Sequence, residues 1–98
     1  MMNLNNSKLQ AKKTHIQNDM EFAKPVFDSR KVEKDDAFFA IRGTVSDGHK
    51  FIEIAIEKGA KIIICEELPK ELKGNISYIK VESSSEALGI VSSEYFDN

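Results

Sequence analysis

Two short apolar runs joined by a loop and an amphipathic segment place the strongest constraint on how this chain folds. The runs are "AFFAIR", residues 37–42, and "KIIIC", residues 61–65. Both are continuous rather than alternating, which is typical of strands with both sheet faces covered. Between them, apolar residues from Phe51 to Ile56 recur at helical spacing, and Gly59 stands where a helix commonly ends. The pattern predicts two parallel strands linked by a helix in a right-handed crossover.

The flanking sequence supplies further elements of the same kind. "KPVFDS" predicts a strand that ends at Asp28, the charged "KVEKDD" predicts a solvated connection, and "SYIKV" predicts another strand. "SSSEALGIVSSEYF" predicts a last helix, because Ser83 and Glu86 have the spacing of a capping box. The sequence therefore predicts an α/β fold, a small three-layer domain with a mostly parallel sheet of four to five strands and flanking helices.

The domain is expected to occupy residues 25–98. Residues 1–24 are rich in Asn, Lys and Gln without a sustained period, so they predict a poorly defined arm, either weakly ordered or a peripheral helix and strand. The last helix reaches the end of the chain without a stop signal, a pattern expected of a domain cut from a longer polypeptide.

Charge and composition argue against several classes of function. The 98 residues, 41% of them apolar, suffice for one core, and 14 Lys and Arg against 16 Asp and Glu provide no basic surface for nucleic acid. No apolar run approaches the roughly 20 residues that cross a bilayer, so a soluble, cytoplasmic protein without membrane contact is expected. A single cysteine, Cys65, and two separated histidines predict neither a disulfide nor a metal site. No set of residues indicates a catalytic centre.

The loop "GTVSDGHK", Gly43 to Lys50, looks like a damaged nucleotide-binding loop. A Walker loop needs Gly, four residues, Gly, then Lys and Ser or Thr, because the lysine reaches the β- and γ-phosphates and the hydroxyl holds magnesium. Here Gly48 is followed by His49, Lys50 and Phe51, which argues against ATP binding. Two interpretations stay open: a tight turn from strand to helix, or a loop whose backbone amides contact a phosphate or pyrophosphate.

The stretch "FDSR", Phe27 to Arg30, follows the preceding predicted strand. The carboxyl ends of neighbouring parallel strands meet at one edge of a sheet, so this stretch is expected to face the same crevice as the loop. For Ser29 two interpretations, a contact with a ligand and a purely structural role, are equally consistent with the sequence. For Asp28 and Arg30 the simpler interpretation is bonding to each other and to the local backbone.

Together these stretches resemble a known family. "DSRKVEKDDAFFAIRGTVSDGHKFIEIAIEKGAKIIICEE" is similar to the N-terminal domain of the Mur ligases, ATP-dependent amide ligases that build the peptidoglycan precursor. The shared pattern reads DSR, a charged turn, G-D-L-F-x-A, G, three residues, D-G-H-x-F, then A-I and G-A, and it runs from about Pro25 to Phe96. The resemblance is strongest to members that add the third amino acid, diaminopimelate or lysine, to UDP-N-acetylmuramoyl-L-alanyl-D-glutamate.

The resemblance implies that this domain binds the UDP part of the UDP-N-acetylmuramoyl-dipeptide. Carried over by position, the residues that would contact uridine and pyrophosphate are Phe27, Ser29, Thr44, Val45 and Ser46. The residues that would shape the two loops are Asp28, Arg30, Gly43, Asp47, Gly48 and His49.

The resemblance also implies what these 98 residues lack. No ATP-binding Gly-rich Lys-Thr motif follows the last helix, so ATP and Mg²⁺ are expected only for the full-length enzyme, together with its central and C-terminal domains. Neither a cofactor nor a catalytic residue is assigned here. Asp35 stands where the family usually has Gly, which predicts another backbone conformation for the turn before "AFFA".

Two alternatives remain. The family member that adds the D-alanyl-D-alanine dipeptide shares the DSR and DGH pattern. A regulatory or interaction module that keeps this fold without using UDP belongs to another class of function.

Overall fold

In a computed structural model, residues 2–43 and 46–97 are described, and they form an α/β fold around one five-stranded sheet. The strands in these ranges are β1 (Met2–Asn3), β2 (Lys13–His15), β3 (Glu21–Phe22), β4 (Pro25–Val26), β5 (Ala37–Phe39), β6 (Ile62–Cys65) and β7 (Ser77–Lys80), and the α-helices are α1 (Ile52–Glu57) and α2 (Ser84–Phe96). The main sheet has the order β2, β7, β6, β5, β4, in which β2 is antiparallel and the other four strands are parallel. The predicted mostly parallel sheet is confirmed.

Strands β5 and β6 and the helix between them form the predicted parallel unit. Every residue of both strands is buried, which explains their continuous apolar sequence, and Ala37 lies opposite Ile62. A 3-10 turn at Gly48–Phe51 leads into α1. Gly59 follows with φ +118°, and a Cβ there would lie 2.7 Å from the Cα of Lys34, so both conformation and space require glycine.

The sheet separates two hydrophobic clusters. Phe39 packs on the face covered by α2, together with Val91, whereas Phe38 packs on the face covered by α1, together with Ala55. Successive strand residues point to opposite faces, so the "FF" pair supplies one ring to each cluster. Helix, sheet and helix make the predicted three layers.

The strand predicted from "KPVFDS" ends at Val26 rather than at Asp28. Asp28 instead caps a 3-10 turn at Ser29–Lys31, because its carboxylate accepts the backbone N–H of Arg30 at 3.0 Å. A short side chain that bonds the backbone two residues ahead competes with the sheet ladder and favours a turn.

The connection "KVEKDD" is less solvated than its charge predicts. Val32 is buried among apolar residues, and Asp36 is fully buried, where its carboxylate accepts the N–H of Glu33 at 2.8 Å and the ammonium of Lys24 at 2.7 Å. Asp35 has φ +69°, a left-handed conformation that glycine favours and that aspartate tolerates. The turn therefore keeps a glycine-type backbone despite its aspartate.

Residues 2–24 pack against the rest of the fold. β2 forms one edge of the main sheet, beside β7, and β1 pairs with β3. Leu4, Met20 and Phe22 are buried in the cluster beneath α2. The N–H of Lys8 donates to the Glu94 carboxylate at 2.8 Å, which joins the segment to the outer helix.

Candidate functional site

A cleft of about 530 Å³ opens beyond the carboxyl ends of β4 and β5. This is the edge where α/β sheets bind ligands, because the loops that leave neighbouring parallel strands diverge there. Its lining residues come from the turn after β4, the loop after β5 and the first helical turn: Phe27, Asp28, Ser29, Arg30, Ile41, Gly43, Ser46, Gly48 and Phe51. The stretch "FDSR" and the loop "GTVSDGHK" therefore meet at one concave surface, as the sequence predicts.

The turn after β4 presents different side chains to this cleft. Phe27 is 62% exposed, an unusual position for a phenyl ring, whereas Ser29 is buried. Arg30 donates from Nε and Nη2 to the two carboxylate oxygens of Asp28, at 3.0 and 2.9 Å. Its side-chain hydrogen bonds, helped by its backbone N–H, lower the pKa of Asp28 to about 2. The predicted mutual bonding of Asp28 and Arg30 is present.

Paired backbone bonds close the stem of the loop. Arg42 and Asp47 form an isolated antiparallel bridge, the N–H of Gly43 donates to the carbonyl of Ser46 at 3.0 Å, and that of Gly48 donates to the carbonyl of Ile41 at 2.8 Å. These bonds hold the described ends of the loop, Gly43 and Ser46, together at the cleft.

Asp47 fixes the point where the loop becomes a helix. Its carboxylate accepts the backbone N–H of His49 at 2.9 Å and a ring nitrogen of His49, Nδ1, at 2.7 Å. The backbone bond is the main cause that lowers the pKa of Asp47, so the carboxylate stays ionised and able to accept. Of Ser46 and Asp47, which are both capping residues by type, Asp47 is the cap.

The predicted site residues occupy two positions relative to the cleft. Seven of them line it, whereas Asp47 and His49, which bond each other, do not. Thr44 and Val45, also predicted to contact the ligand, lie outside the described residues. Ile41 and Phe51 also line the cleft, although the sequence does not predict them as site residues. The apolar pattern assigns both to the core, as residues of a strand and of a helix.

Arg42 is a second residue that the sequence does not single out. Its half-exposed guanidinium faces three carboxylates: Nη2 is 3.2 Å from Glu67, and Nε is 3.7 Å from Glu66 and 4.0 Å from Asp47. Glu66 in turn accepts the N–H of Ser84 at 2.8 Å, at the first turn of α2. The side chain of Arg42 thus connects the loop stem with the segment after β6.

The described residues around the loop do not fit ATP and Mg²⁺. Lys50 lines a separate cleft beside α1, on the other side of the loop stem, so no lysine of this loop faces the space beside Gly43. Among the described residues, no cluster of three or more His, Cys, Asp or Glu side chains is arranged for a metal ion. Within the same residues, neither helix has the length and apolar character of a membrane span.

A model of the family described as "Mur ligase family, catalytic domain" matches residues 26–96. The chain is similar to two curated proteins named UDP-N-acetylmuramoyl-L-alanyl-D-glutamate–2,6-diaminopimelate ligase. It is 47% identical over 81 residues to that of Cytophaga hutchinsonii and 51% identical over 69 residues to that of Parabacteroides distasonis. These matches cover 82% and 70% of this chain but 17% and 14% of the relatives, so the chain spans about a sixth of their length.

Solved structures show the same likeness. A MurF ligase from Thermotoga maritima, in complex with ADP, superposes with a TM-score of 0.64 and 33% identity over 76% of this chain and 17% of that one. The UDP-N-acetylmuramoylalanyl-D-glutamyl-2,6-diaminopimelate–D-alanyl-D-alanyl ligase of Acinetobacter baumannii gives a TM-score of 0.61 and 29% identity, over 69% of this chain and 15% of that one.

Proposed function

Because this chain belongs to the Mur ligase family, we propose that its cleft binds the UDP part of UDP-N-acetylmuramoyl-L-alanyl-D-glutamate. The domain then serves an ATP-dependent ligase that adds the third peptide residue of the peptidoglycan precursor. Diaminopimelate is the favoured third residue, since the curated relatives are named for it.

One observation carries this proposal: "FDSR" and the loop after β5 line a single cleft. They are 13 residues apart in sequence, from Arg30 to Gly43, and they meet because β4 and β5 are parallel neighbours. The cleft volume of about 530 Å³ lies within the range of sites for small ligands.

The lining residues suit a nucleoside diphosphate. The exposed ring of Phe27 offers a flat apolar face on which a uracil base would stack. The hydroxyl of Ser29 and the loop around Ser46, with Thr44 and Val45, would bond the ribose and pyrophosphate oxygens. Glycine at position 43 lets the backbone approach a phosphate closely.

ATP and Mg²⁺ belong, in this proposal, to parts of the enzyme beyond these 98 residues. The residues beside the loop fit neither group, so no phosphoryl-transfer or ligation step is assigned to them. The central and C-terminal domains of the family would bring ATP and the incoming amino acid to the substrate held here.

The alternative function is the same role in the ligase that adds D-alanyl-D-alanine. The likeness to the solved structures named above supports it, at 29–33% identity. The identities of 47% and 51% to the diaminopimelate ligases are higher and favour the first proposal.

A titration of the 98-residue chain with UDP and with UDP-N-acetylmuramic acid, followed by amide chemical shifts, tests the proposal, with ATP as the control ligand. Shifts concentrated at residues 27–30 and 43–49 with the UDP compounds, and none with ATP, are expected. Phe27→Ala should weaken the response, whereas Phe96→Ala, at an exposed phenyl ring that does not line the cleft, should leave it unchanged. Equal responses to UDP and ATP, or shifts away from this cleft, would contradict the assignment.

A further inference from the structure

The ring of His49 connects two segments that are distant in sequence. On one side Nδ1 lies 2.7 Å from the Asp47 carboxylate. On the other side Nε2 lies 3.0 Å from the backbone nitrogen of Glu66 and 3.3 Å from that of Glu67, just after β6. The side chain is only 13% exposed, so these contacts are shielded from water.

These partners select one tautomer of the imidazole. A backbone N–H can only donate, so Nε2 must carry a lone pair to accept from Glu66. The proton of the neutral ring then resides on Nδ1, where the carboxylate of Asp47 accepts it. His49 therefore makes a donor contact and an acceptor contact at once.

We propose that His49 is a positioning residue for the loop, locking its stem to the end of β6 through this single tautomer. The expected consequence of this positioning is tighter binding of UDP, and that consequence rests on the proposed function. Asp47 is bridged to Arg42 across the stem, so holding Asp47 in place also holds the residues that enter and leave the loop. A loop fixed before the ligand arrives loses less conformational freedom on binding.

The contacts of His49 differ in kind from the other bonds of the stem. The bonds between Gly43 and Ser46 and between Gly48 and Ile41 lie within the loop and its two flanks. The imidazole alone, among the side chains whose bonds are described, joins the loop stem to the backbone after β6. Without it the stem would keep its own bonds and the contacts of Arg42 with the side chains of Glu66 and Glu67, but it would lose its attachment to the backbone after β6.

The first test is the ¹⁵N spectrum of the imidazole in the ligand-free chain. Signals of an Nδ1–H, Nε2-unprotonated ring for His49 at neutral pH are expected. An Nε2–H ring, or rapid averaging of the two tautomers, would overturn the proposal whether or not the chain binds UDP.

Three substitutions separate the two contacts. His49→Phe keeps a planar ring and removes both, His49→Gln offers an acceptor in place of Nε2, and His49→Asn offers a donor in place of Nδ1. His15→Phe is the matched control, because His15 lies on β2, away from the cleft. Each variant is measured by amide exchange at Gly43 and Gly48 and by UDP affinity.

His49→Phe is expected to fold, to exchange both glycine amides faster and to bind UDP about five- to tenfold more weakly, the equivalent of one or two lost hydrogen bonds. His49→Gln should recover part of both effects, and His15→Phe should match the wild type. Unchanged amide exchange in His49→Phe would overturn the proposal. If that variant does not fold, the exchange rates of the Gln and Asn variants decide. If the wild type itself does not bind UDP, the proposed function fails. The tautomer and the amide exchange rates still test the positioning role in that case.

Discussion

Gly48 donates its backbone N–H to the carbonyl of Ile41 at 2.8 Å, and the two residues approach so closely that no side chain fits between them. A Cβ on Gly48 would lie 2.7 Å from the nitrogen of Ile41 and 2.9 Å from its oxygen. Both are backbone atoms, which cannot turn aside as the end of a flexible side chain can. The second glycine of the loop is therefore required by packing at the stem.

Gly48→Ala is accordingly expected to push the stem apart and to cost about 1–3 kcal/mol of unfolding free energy, as overpacking does. Gly89→Ala is the matched control, because nothing lies within 4 Å of a Cβ at this position of α2. The control should gain about 0.5–1 kcal/mol, since alanine favours a helix interior over glycine. Denaturant unfolding of both variants measures the difference, and an equal effect of the two changes would contradict the packing argument.

A second prediction concerns the buried carboxylate of Asp36. Lys24→Met removes its ammonium partner at 2.7 Å and leaves the N–H of Glu33 as the remaining partner of that oxygen. A loss of about 1–3 kcal/mol is expected, because a buried charge keeps its desolvation cost when a partner is removed. Lys12→Met, which breaks an exposed pair with Glu82, should cost much less in the same unfolding experiment.

The same ion pair gives a pH dependence. Hydrogen bonding to Asp36 raises the pKa of Lys24 above its usual 10.5. The stabilisation from Lys24 is then fully present below pH 10.5 and is lost as the pH rises through the raised pKa. Wild type and Lys24→Met should therefore converge in stability in alkaline solution above that point, and a constant difference there would contradict the assignment.

The sequence predicts β5 and β6 well because a strand that is buried on both faces consists of a continuous run of apolar residues. It misplaces the end of β4, because one hydrogen bond from the Asp28 side chain decides between strand and turn. It underrates "KVEKDD" for a similar reason. A charged segment is predicted to be exposed to solvent. Asp36 is nevertheless buried, because it pairs with Lys24, 12 residues away in sequence.

The candidate site shows the same division. The rule that loops leave parallel strands at one edge suffices to bring Ser29 and Gly43 to one cleft. The contact of His49 with the backbone of Glu66 spans 17 residues and depends on how the loop lies on β6, so no local pattern reveals it.

A third prediction uses the ion pair at the mouth of the cleft. Arg30→Ala should raise the pKa of Asp28 from about 2 toward 3.8, because the side-chain bonds of Arg30 are the largest cause of the depression. The shift should be incomplete, since the backbone N–H at position 30 still donates. Lys31→Ala removes a neighbouring charge without removing a hydrogen bond, and it should change this pKa far less.

Titration of the Asp28 carboxyl carbon by NMR measures these values. A depressed pKa contributes stability above pH 3.8 that is lost as the pH falls through about 2, so the wild-type turn should keep its bonds in acid longer than Arg30→Ala does. Equal shifts in the two variants would show that charge, rather than hydrogen bonding, sets the pKa.

The last prediction concerns Cys65, which is fully buried in β6. Burial raises the pKa of its thiol from 9.0 to about 11, so the thiol stays protonated and unreactive at pH 8. A disulfide reagent should label the native chain slowly and the urea-unfolded chain rapidly. Ser85→Cys in a Cys65→Ala background, an exposed position on α2, should react rapidly without denaturant. Since the native pKa is raised, the stabilisation from the protonated thiol is complete below pH 9 and disappears as the pH rises through about 11. Fast labelling of native Cys65 at pH 8 would show that the strand opens to solvent and that burial does not protect this residue.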